Sequence, residues 1–501
     1  MNSIQRLLSA CLLGLLPLSG NAAVDAAALY KQHCAECHGP GRLGLVGPAL
    51  LPQNLRRLGK KAAAEVIRDT RPASQMPAFR DKLNERQIAA LVKLIYTPLK
   101  ETPKWGMQAI RASQIVSHRP GELPDRPKFQ ADIDNLFMVV ELGDHHATLL
   151  DGDSFEPIFR FPTRFAVHGG PKWSDGGRYI YFLSRDGWVS KFDVFNLTYA
   201  AEVRAGINSR NLAVSRDGRY VIVANYLPHT LTILDARDLS PLQVLEAQDE
   251  KGQSSRVSAV YTADPRGSFI AAMKDIPEVW EIGYRGDHTQ GQLFPVRRIR
   301  VKGYLDDFFL TQDYNHIVGT SRGAKTNGQV VDLNTGRALA EVHLPGMPHL
   351  SSAITWPWHG HTLLATPNIK KPEVTLIDMD TWKVVKRIPT QGPGFFMRSH
   401  ENTPYAWTDV FFGPHRDLMH VIDKRTLKIV KTLRPAPGKT SAHVEFTKDG
   451  RYALVSIWDM DGAIVVYDAN TFKEIKRIPM KKPSGKYNVH NKLTRSRGTS
   501  H

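Results

Sequence analysis

The sequence predicts two unlike units in tandem, a small all-α domain and then an all-β, eight-bladed β-propeller. Three observations carry this. The chain has 501 residues, too many for one ordinary core at roughly 100–200 residues per domain. Its first hundred residues carry helical periodicity. From about residue 135 a short apolar strand ending in Asp returns at a steady period, as it does in radial repeat folds.

Arg6 followed by the apolar run Leu7 to Leu18 and the small residues Ser19, Gly20, Ala22 and Ala23 reads as a signal peptide over residues 1–22. The run is too short for a membrane span. Cys11 lies inside it and leaves with it, so the mature chain keeps Cys34 and Cys37. A soluble protein of the periplasm is expected. In residues 23–100, Asn84-Glu85 starts a helix whose apolar stripe is Ile88, Leu91, Val92 and Ile95. Residues 101–130, punctuated by Pro103, Pro120, Pro124 and Pro127, read as a linker or strap.

Residues 131–490 form the propeller. The recurring Asp stands at Asp151, Asp193, Asp235, Asp332, Asp378, Asp423 and Asp468, and Trp280-Glu281-Ile282 is a weaker copy between the third and fourth. Successive Asp positions are 42 to 46 residues apart, except for the 97 that span the weaker copy, and such a period is the length of a four-stranded blade. Tight turns such as Ser215-Arg216-Asp217-Gly218-Arg219 and Thr447-Lys448-Asp449-Gly450-Arg451 join strands, with Gly supplying positive φ. A sandwich has similar strand density but not this regular period. Residues 491–501 are expected to be a mobile basic tail.

The formal charge is +17, from 66 basic and 49 acidic residues, and three Cys exclude a disulfide-rich scaffold. Residues 471–501 alone hold nine basic residues against Glu474, a net +8. Export excludes nucleic acid as a partner, which leaves an acidic ligand for internal Arg residues and an acidic protein near the tail.

Cys34-Ala35-Glu36-Cys37-His38 is a C-x-x-C-H motif. Its two thiols would form thioethers to one covalent haem c and His38 would ligate the iron. A redox dithiol would need a βαβ context that the sequence lacks. Met76, before the last helix, is the candidate sixth ligand, and the Gly47-Pro48 loop would supply a carbonyl to orient His38. The domain is therefore read as a class I cytochrome c that moves single electrons.

A small exported cytochrome c ahead of an eight-bladed propeller resembles the cytochrome cd1 nitrite reductase family. The resemblance covers essentially the whole propeller, in stretches such as Ala166-Val167-His168-Gly169, Ser184-Arg185-Asp186-Gly187-Trp188, Ser209-Arg210-Asn211, Met347-Pro348-His349 and Gly485-Lys486-Tyr487-Asn488-Val489. It implies a non-covalent haem d1, with His168 as its proximal iron ligand, Arg185, Arg210 and Arg256 as basic positions of the pocket, and Tyr226 as an aromatic lining residue.

The chain departs from the reductases where they carry two distal histidines. His349 matches the second, but Asp306 falls in place of the first, and a carboxylate there would repel nitrite. His443 replaces a Gln and could ligate the d1 iron. Arg398 replaces a Lys, and Tyr487 adds a hydroxyl. Together with the short N-terminal segment, these differences resemble the dihydro-haem d1 dehydrogenase branch of haem d1 biosynthesis. That resemblance implies oxidation of a propionate of bound dihydro-haem d1 to an acrylate, with His349 as base and Arg398 and Tyr487 holding the substrate. Implied partners are nitrite reductase, other d1-biogenesis proteins and a periplasmic electron acceptor. Nitrite reduction and non-enzymatic d1 delivery are the competing readings.

Overall fold

The computed structural model describes residues 24–71, 76–285, 293–320 and 328–494, so the expected signal peptide lies outside the described residues. Helices Ala26–His33, Ala35–His38, Pro52–Leu55, Lys60–Asp69 and Glu85–Ile95 build the N-terminal domain. The last of these starts as its sequence dictates. Asn84 Oδ1 accepts the Gln87 backbone N–H at 3.0 Å and Gln87 Oε1 accepts that of Asn84 at 2.9 Å. This reciprocal cap satisfies two donors that a helix start leaves open. The stripe Ile88, Leu91, Val92 and Ile95 is buried against Tyr30, Ala63, Ile67 and Phe79.

The connecting segment is more ordered than its prolines suggest. It holds a helix, Met107–Ala112, and a short strand, Ile115–Val116, which adds a fifth strand to the outside of one blade by pairing with Thr198–Arg204. Trp105 Nε1–H donates to the Arg204 carbonyl at 2.7 Å.

Eight antiparallel sheets follow, blade 1 to blade 8 in chain order. In blades 2 to 8 the first strand in sequence is innermost. Blade 1 is closed instead by the C-terminal strand Pro483–Asn488, which pairs with Phe137–Glu141 and becomes its innermost strand. The ring is thus locked by its two ends, and the closing strand carries Tyr487 to the centre. The cores lie between blades, where apolar faces such as Leu183, Val189, Leu212 and Val223 interdigitate.

The repeated Asp ends the third strand of its blade and closes the hairpin to the fourth. Asp423 Oδ1 accepts the N–H groups of Arg425 and Thr426 at 2.8 and 2.9 Å, and Asp468 Oδ1 does the same for Asn470 and Thr471. Four residues after each Asp the backbone turns left-handed, at Phe155, Leu197, Leu239, Gly336, Trp382, Leu427 and Phe472. The weaker copy at Trp280-Glu281-Ile282 lies in the third strand of blade 4.

The two domains are stitched together at the Arg204 side chain. Its guanidinium donates to the carbonyls of Leu43 (2.6 Å) and Gly44 (3.2 Å) in the N-terminal domain and Asp186 (2.9 Å) in blade 2. Ala49 and Leu51 pack on Ile207 and Leu227 beside it. The mobile tail expected from residue 491 does not hold for residues 491–494. Val489–Leu493 is helical, and Asn491 is buried with its amide donating to Glu445 Oε1 and the Phe446 carbonyl. The anchor is that buried amide pair, which strand patterning does not register; residues 495–501 lie outside the described residues.

Candidate functional site

Cys34 and Cys37 are free thiols one helical turn apart, and His38 follows on the same turn. The His38 ring is oriented from below, its Nδ1 lying 2.7 Å from the Pro48 carbonyl. That bond fixes the proton on Nδ1 and turns the Nε2 lone pair outward. Gly47 permits the approach, since a Cβ there would stand 2.7 Å from His38 Cε1. Burial lowers the His38 pKa, which keeps the ring neutral. Met76 is half-buried against the same helical core, its carbonyl accepting from the Thr70 hydroxyl. Two thiols, an oriented neutral imidazole and a thioether fit a covalent haem c.

The second part of the site is built at the propeller axis, from innermost strands that bulge. A bulge adds one unpaired residue and re-aims its side chain. In blade 3 the register steps from Asn211 to Ser209 against consecutive partners, so Arg210 is the extra residue. In blade 8 it steps from Ala442 to Val444, and His443 is the extra residue, with φ +50°. In blade 2 the step falls after His168, across Gly169 and Gly170, both left-handed. Gly169 is required there because a Cβ would lie 2.7 Å from the Asn211 Cβ.

His168 Nδ1 is 2.8 Å from the Arg210 carbonyl, and its Nε2 is 2.8 Å from the Arg210 guanidinium. Nδ1 therefore carries the proton and Nε2 the lone pair. Burial, and then the cations Arg185 and Arg210, hold the ring well below the usual histidine range. His443 is likewise buried and neutral, lowered first by burial and then by Lys486 and Arg398. Its Nδ1 is buried with no hydrogen-bond partner, and its ring packs edge-on to Phe396 and Tyr487.

His349 caps a short 3-10 turn, Leu350–Ser352, at the entrance to blade 6. Its Nδ1–H points at the Phe395 carbonyl, 2.5 Å away, and its ring stacks on Phe395 at 4.0 Å. The Ser351 hydroxyl lies 3.2 Å from Nε2, the basic atom of this tautomer. Arg398 is buried on the innermost strand of blade 7, with Nε 3.7 Å from Glu445 Oε2. Burial pushes the Tyr487 hydroxyl up to about 12, so it is a hydrogen-bond donor at any physiological pH.

Two expectations change. Asp306 forms an ion pair with Lys274, so its carboxylate is neutralised and its repulsion of an anion is weaker than its sequence position implied. Arg256 grips Asp275 with two N–H groups, at 2.8 and 2.5 Å, and lies over the Tyr226 ring at 5.6 Å. It lines the pocket with its charge already paired, while Arg185 and Arg210 flank His168. Three residues went unrecognised in the sequence. Lys172 follows the blade 2 bulge, and Lys492 reaches back from the C-terminal helix to within 5.5 Å of the Tyr487 ring centre. Asp409 is fully buried, and burial raises its carboxyl to about 7 although it accepts three backbone N–H groups. Its signal was an acidic residue in an apolar strand where the repeat places none.

A cavity of about 2510 Å³ joins the two parts. It runs from Cys37, His38 and Met76 past Arg57 and Arg71 to His168, His349, Arg398, His443 and Tyr487. Its size, basic lining, two neutral imidazoles and the orphaned His443 Nδ1 fit a planar, polycarboxylate tetrapyrrole. Arg is suited to such carboxylates through paired N–H donors.

Comparison with known proteins agrees with this geometry. The family described as Cytochrome D1 heme domain matches residues 131–492, and Cytochrome C oxidase, cbb3-type, subunit III, matches residues 21–95. The chain is 55% identical over 490 residues to the dihydro-heme d1 dehydrogenase of Pseudomonas aeruginosa, covering 98% of each chain. It is 24% identical to the nitrite reductase of Stutzerimonas stutzeri, covering 98% of this chain and 99% of that one. A solved structure of dihydro-heme d1 dehydrogenase NirN in complex with DHE superposes with a TM-score of 0.90 at 55% identity, covering 93% of this chain and 99% of that one. With more than two thirds of its length inside the first of these matches, the chain belongs to the cytochrome d1 haem-domain family.

Proposed function

We propose that this protein is an oxidoreductase of haem d1 biosynthesis, which oxidises a propionate of bound dihydro-haem d1 to an acrylate. The observation that carries this reading is the single cavity, with an electron-accepting cradle at one end and a basic, histidine-bearing pocket at the other. A chain that only delivered the tetrapyrrole would have no use for the first end.

Cys34 and Cys37 would hold haem c, with His38 and Met76 on its iron, and that group supplies a one-electron acceptor when bound. The remaining roles fall to the propeller. His168, held neutral, would ligate the substrate iron through Nε2 once the Arg210 guanidinium that now donates to that atom moves aside, so no proton need leave first. His443 lines the same cavity from blade 8 and would close it to a small anion, which is what separates this site from nitrite reduction. Arg398 and Tyr487 hold the substrate carboxylate, and much of the rate gain comes from that placement. The oxidation releases two protons and two electrons. His349 Nε2 takes one proton, with the bond from Nδ1–H to the Phe395 carbonyl supporting the positive charge that results, and the second proton passes to solvent. The electrons would pass one at a time to haem c and on to the external electron acceptor.

Among the described residues no helix is long and apolar enough to cross a membrane. In this reading a signal peptide over residues 1–22 exports the protein to the periplasm, where it would meet nitrite reductase, other d1-biogenesis proteins and an electron acceptor. The test is to mix dihydro-haem d1 with protein carrying oxidised haem c. A product lighter by two hydrogens, formed as two haem c are reduced per product, is expected. Binding without oxidation would instead identify a carrier, and nitrite turnover after loading with d1 would identify a reductase.

A further inference from the structure

His349 and His443 come from different blades, yet one buried carboxylate underlies both. Asp409 ends the second strand of blade 7, Tyr405–Asp409, and is 1% exposed. Its Oδ1 accepts the backbone N–H groups of Phe395 (2.7 Å) and Phe396 (3.0 Å). Its Oδ2 accepts that of His443 at 3.3 Å.

Each of these contacts leads to a histidine. Phe395 stacks under the His349 ring, and its carbonyl takes the His349 Nδ1–H. Phe396 meets the His443 ring at 4.8 Å. The His443 peptide is held on its other side by the buried Lys486 ammonium, which donates to the His443 carbonyl and to Ser456 Oγ. Asp409 and Lys486 thus grip the two faces of one left-handed residue. Left-handed backbone is uncommon at residues other than glycine and persists where the surroundings hold it.

We propose that Asp409 is a positioning residue that sets the aim of His349 and His443 together. The role rests on the reading of His349 as base and His443 as iron ligand. It explains why a carboxylate is buried at a place where the blade repeat asks for none. Three backbone N–H groups demand a stronger acceptor than one neutral oxygen, and their three residues are those that back the two imidazoles.

The test uses full-length protein carrying haem c, as wild type, Asp409→Asn, Asp409→Ala, His349→Ala and His443→Ala. Each is titrated with dihydro-haem d1 while the visible and EPR spectra of the bound ligand are followed, and each is then run in single turnover. Asp409→Ala should keep affinity within about 3-fold, take on the iron spectrum of His443→Ala, and turn over about 100-fold more slowly, the size expected for an ångström of misplacement. Asp409→Asn keeps an oxygen for Phe395 and Phe396 but turns an amide toward the His443 N–H. It should share the altered spectrum and slow only about 10-fold.

A residue that merely holds the fold would lower the melting temperature and leave affinity, spectrum and rate per folded site at wild-type values, and that result overturns the proposal. If Asp409→Ala fails to fold, Asp409→Asn decides on the same terms. If His349→Ala and His443→Ala themselves show wild-type rate and spectrum, the reading of the site falls and the positioning role falls with it. If those two are impaired and the Asp409 variants are not, only the inference about Asp409 is wrong.

Discussion

At His349 the two ring nitrogens have separate tasks, and the separation is set by one short contact. Nδ1–H is spent on the Phe395 carbonyl, so Nε2 is left as the base. His349→Ala removes that base but leaves the Arg and Tyr contacts that hold the substrate. The expected result is a fall in the single-turnover rate of about 10²- to 10⁴-fold with affinity little changed, read by stopped-flow reduction of haem c. A wild-type rate would transfer the base role elsewhere. How far such residues were legible depended on their surroundings in sequence. His38 announced itself through two cysteines, and His168 through the family stretch around it. Lys492 did not, because it follows the last strand and reads as tail. Only the fold returns it to the pocket, where burial, and then the Arg398 guanidinium, hold its ammonium well below the usual lysine range. The charge of Asp306 was read without its partner, since Lys274 lies 32 positions away on another blade and no local pattern joins them.

At the scale of the strand and turn, the repeat was legible because each blade must solve the same problem. The chain reverses between its third and fourth strands, and the Asp that ends the third satisfies the freed N–H groups. Asp423→Ala leaves the Arg425 and Thr426 donors without their acceptor, so about 2 kcal/mol of stability should be lost at about 1 kcal/mol per bond. Leu427, the left-handed residue of the same turn, poses the opposite question. Leu427→Gly relieves roughly 1–2 kcal/mol of backbone strain but empties a side chain that is 3% exposed, at roughly 2–5 kcal/mol. Burial wins, so the glycine variant should melt earlier than wild type in denaturant, although glycine is the residue the backbone prefers. A later midpoint would show that strain dominates. The bulges of the inner strands were not legible. Each is a slip of one or two residues between strands joined by a hairpin, and alternation of apolar residues continues on either side of it.

For the whole molecule, two features bear on stability and on coupling between the domains. His420 is buried in blade 7, where its Nε2 accepts the Gln391 N–H at 3.2 Å and its Nδ1 meets the Thr432 hydroxyl. Burial lowers its pKa to about 4, against 6.5 in an open chain. The unfolded chain therefore binds the proton more readily between those values, and stability falls as pH drops from 6.5 toward 4. The loss from this residue is at most about 3 kcal/mol, and His420→Phe should flatten that part of the stability–pH curve. An unchanged acid limb would place the sensitivity in other groups.

Coupling between the domains turns on Arg204. Its three donor contacts tie the Leu43–Gly44 loop, which borders the His38 cradle, to blade 2, whose inner strand carries His168. Arg204→Met keeps the length and packing but removes the donors, leaving three carbonyls unsatisfied at roughly 1–3 kcal/mol each. The propeller is closed by its own C-terminal strand and should keep its affinity for the tetrapyrrole. Electron passage between the two ends of the cavity depends instead on how closely the domains are held. The single-turnover rate should therefore fall about 10-fold, and the strap over residues 101–106 should become open to protease. If both stay at wild-type values, the apolar contact of Ala49 and Leu51 with Ile207 and Leu227 holds the seam without Arg204.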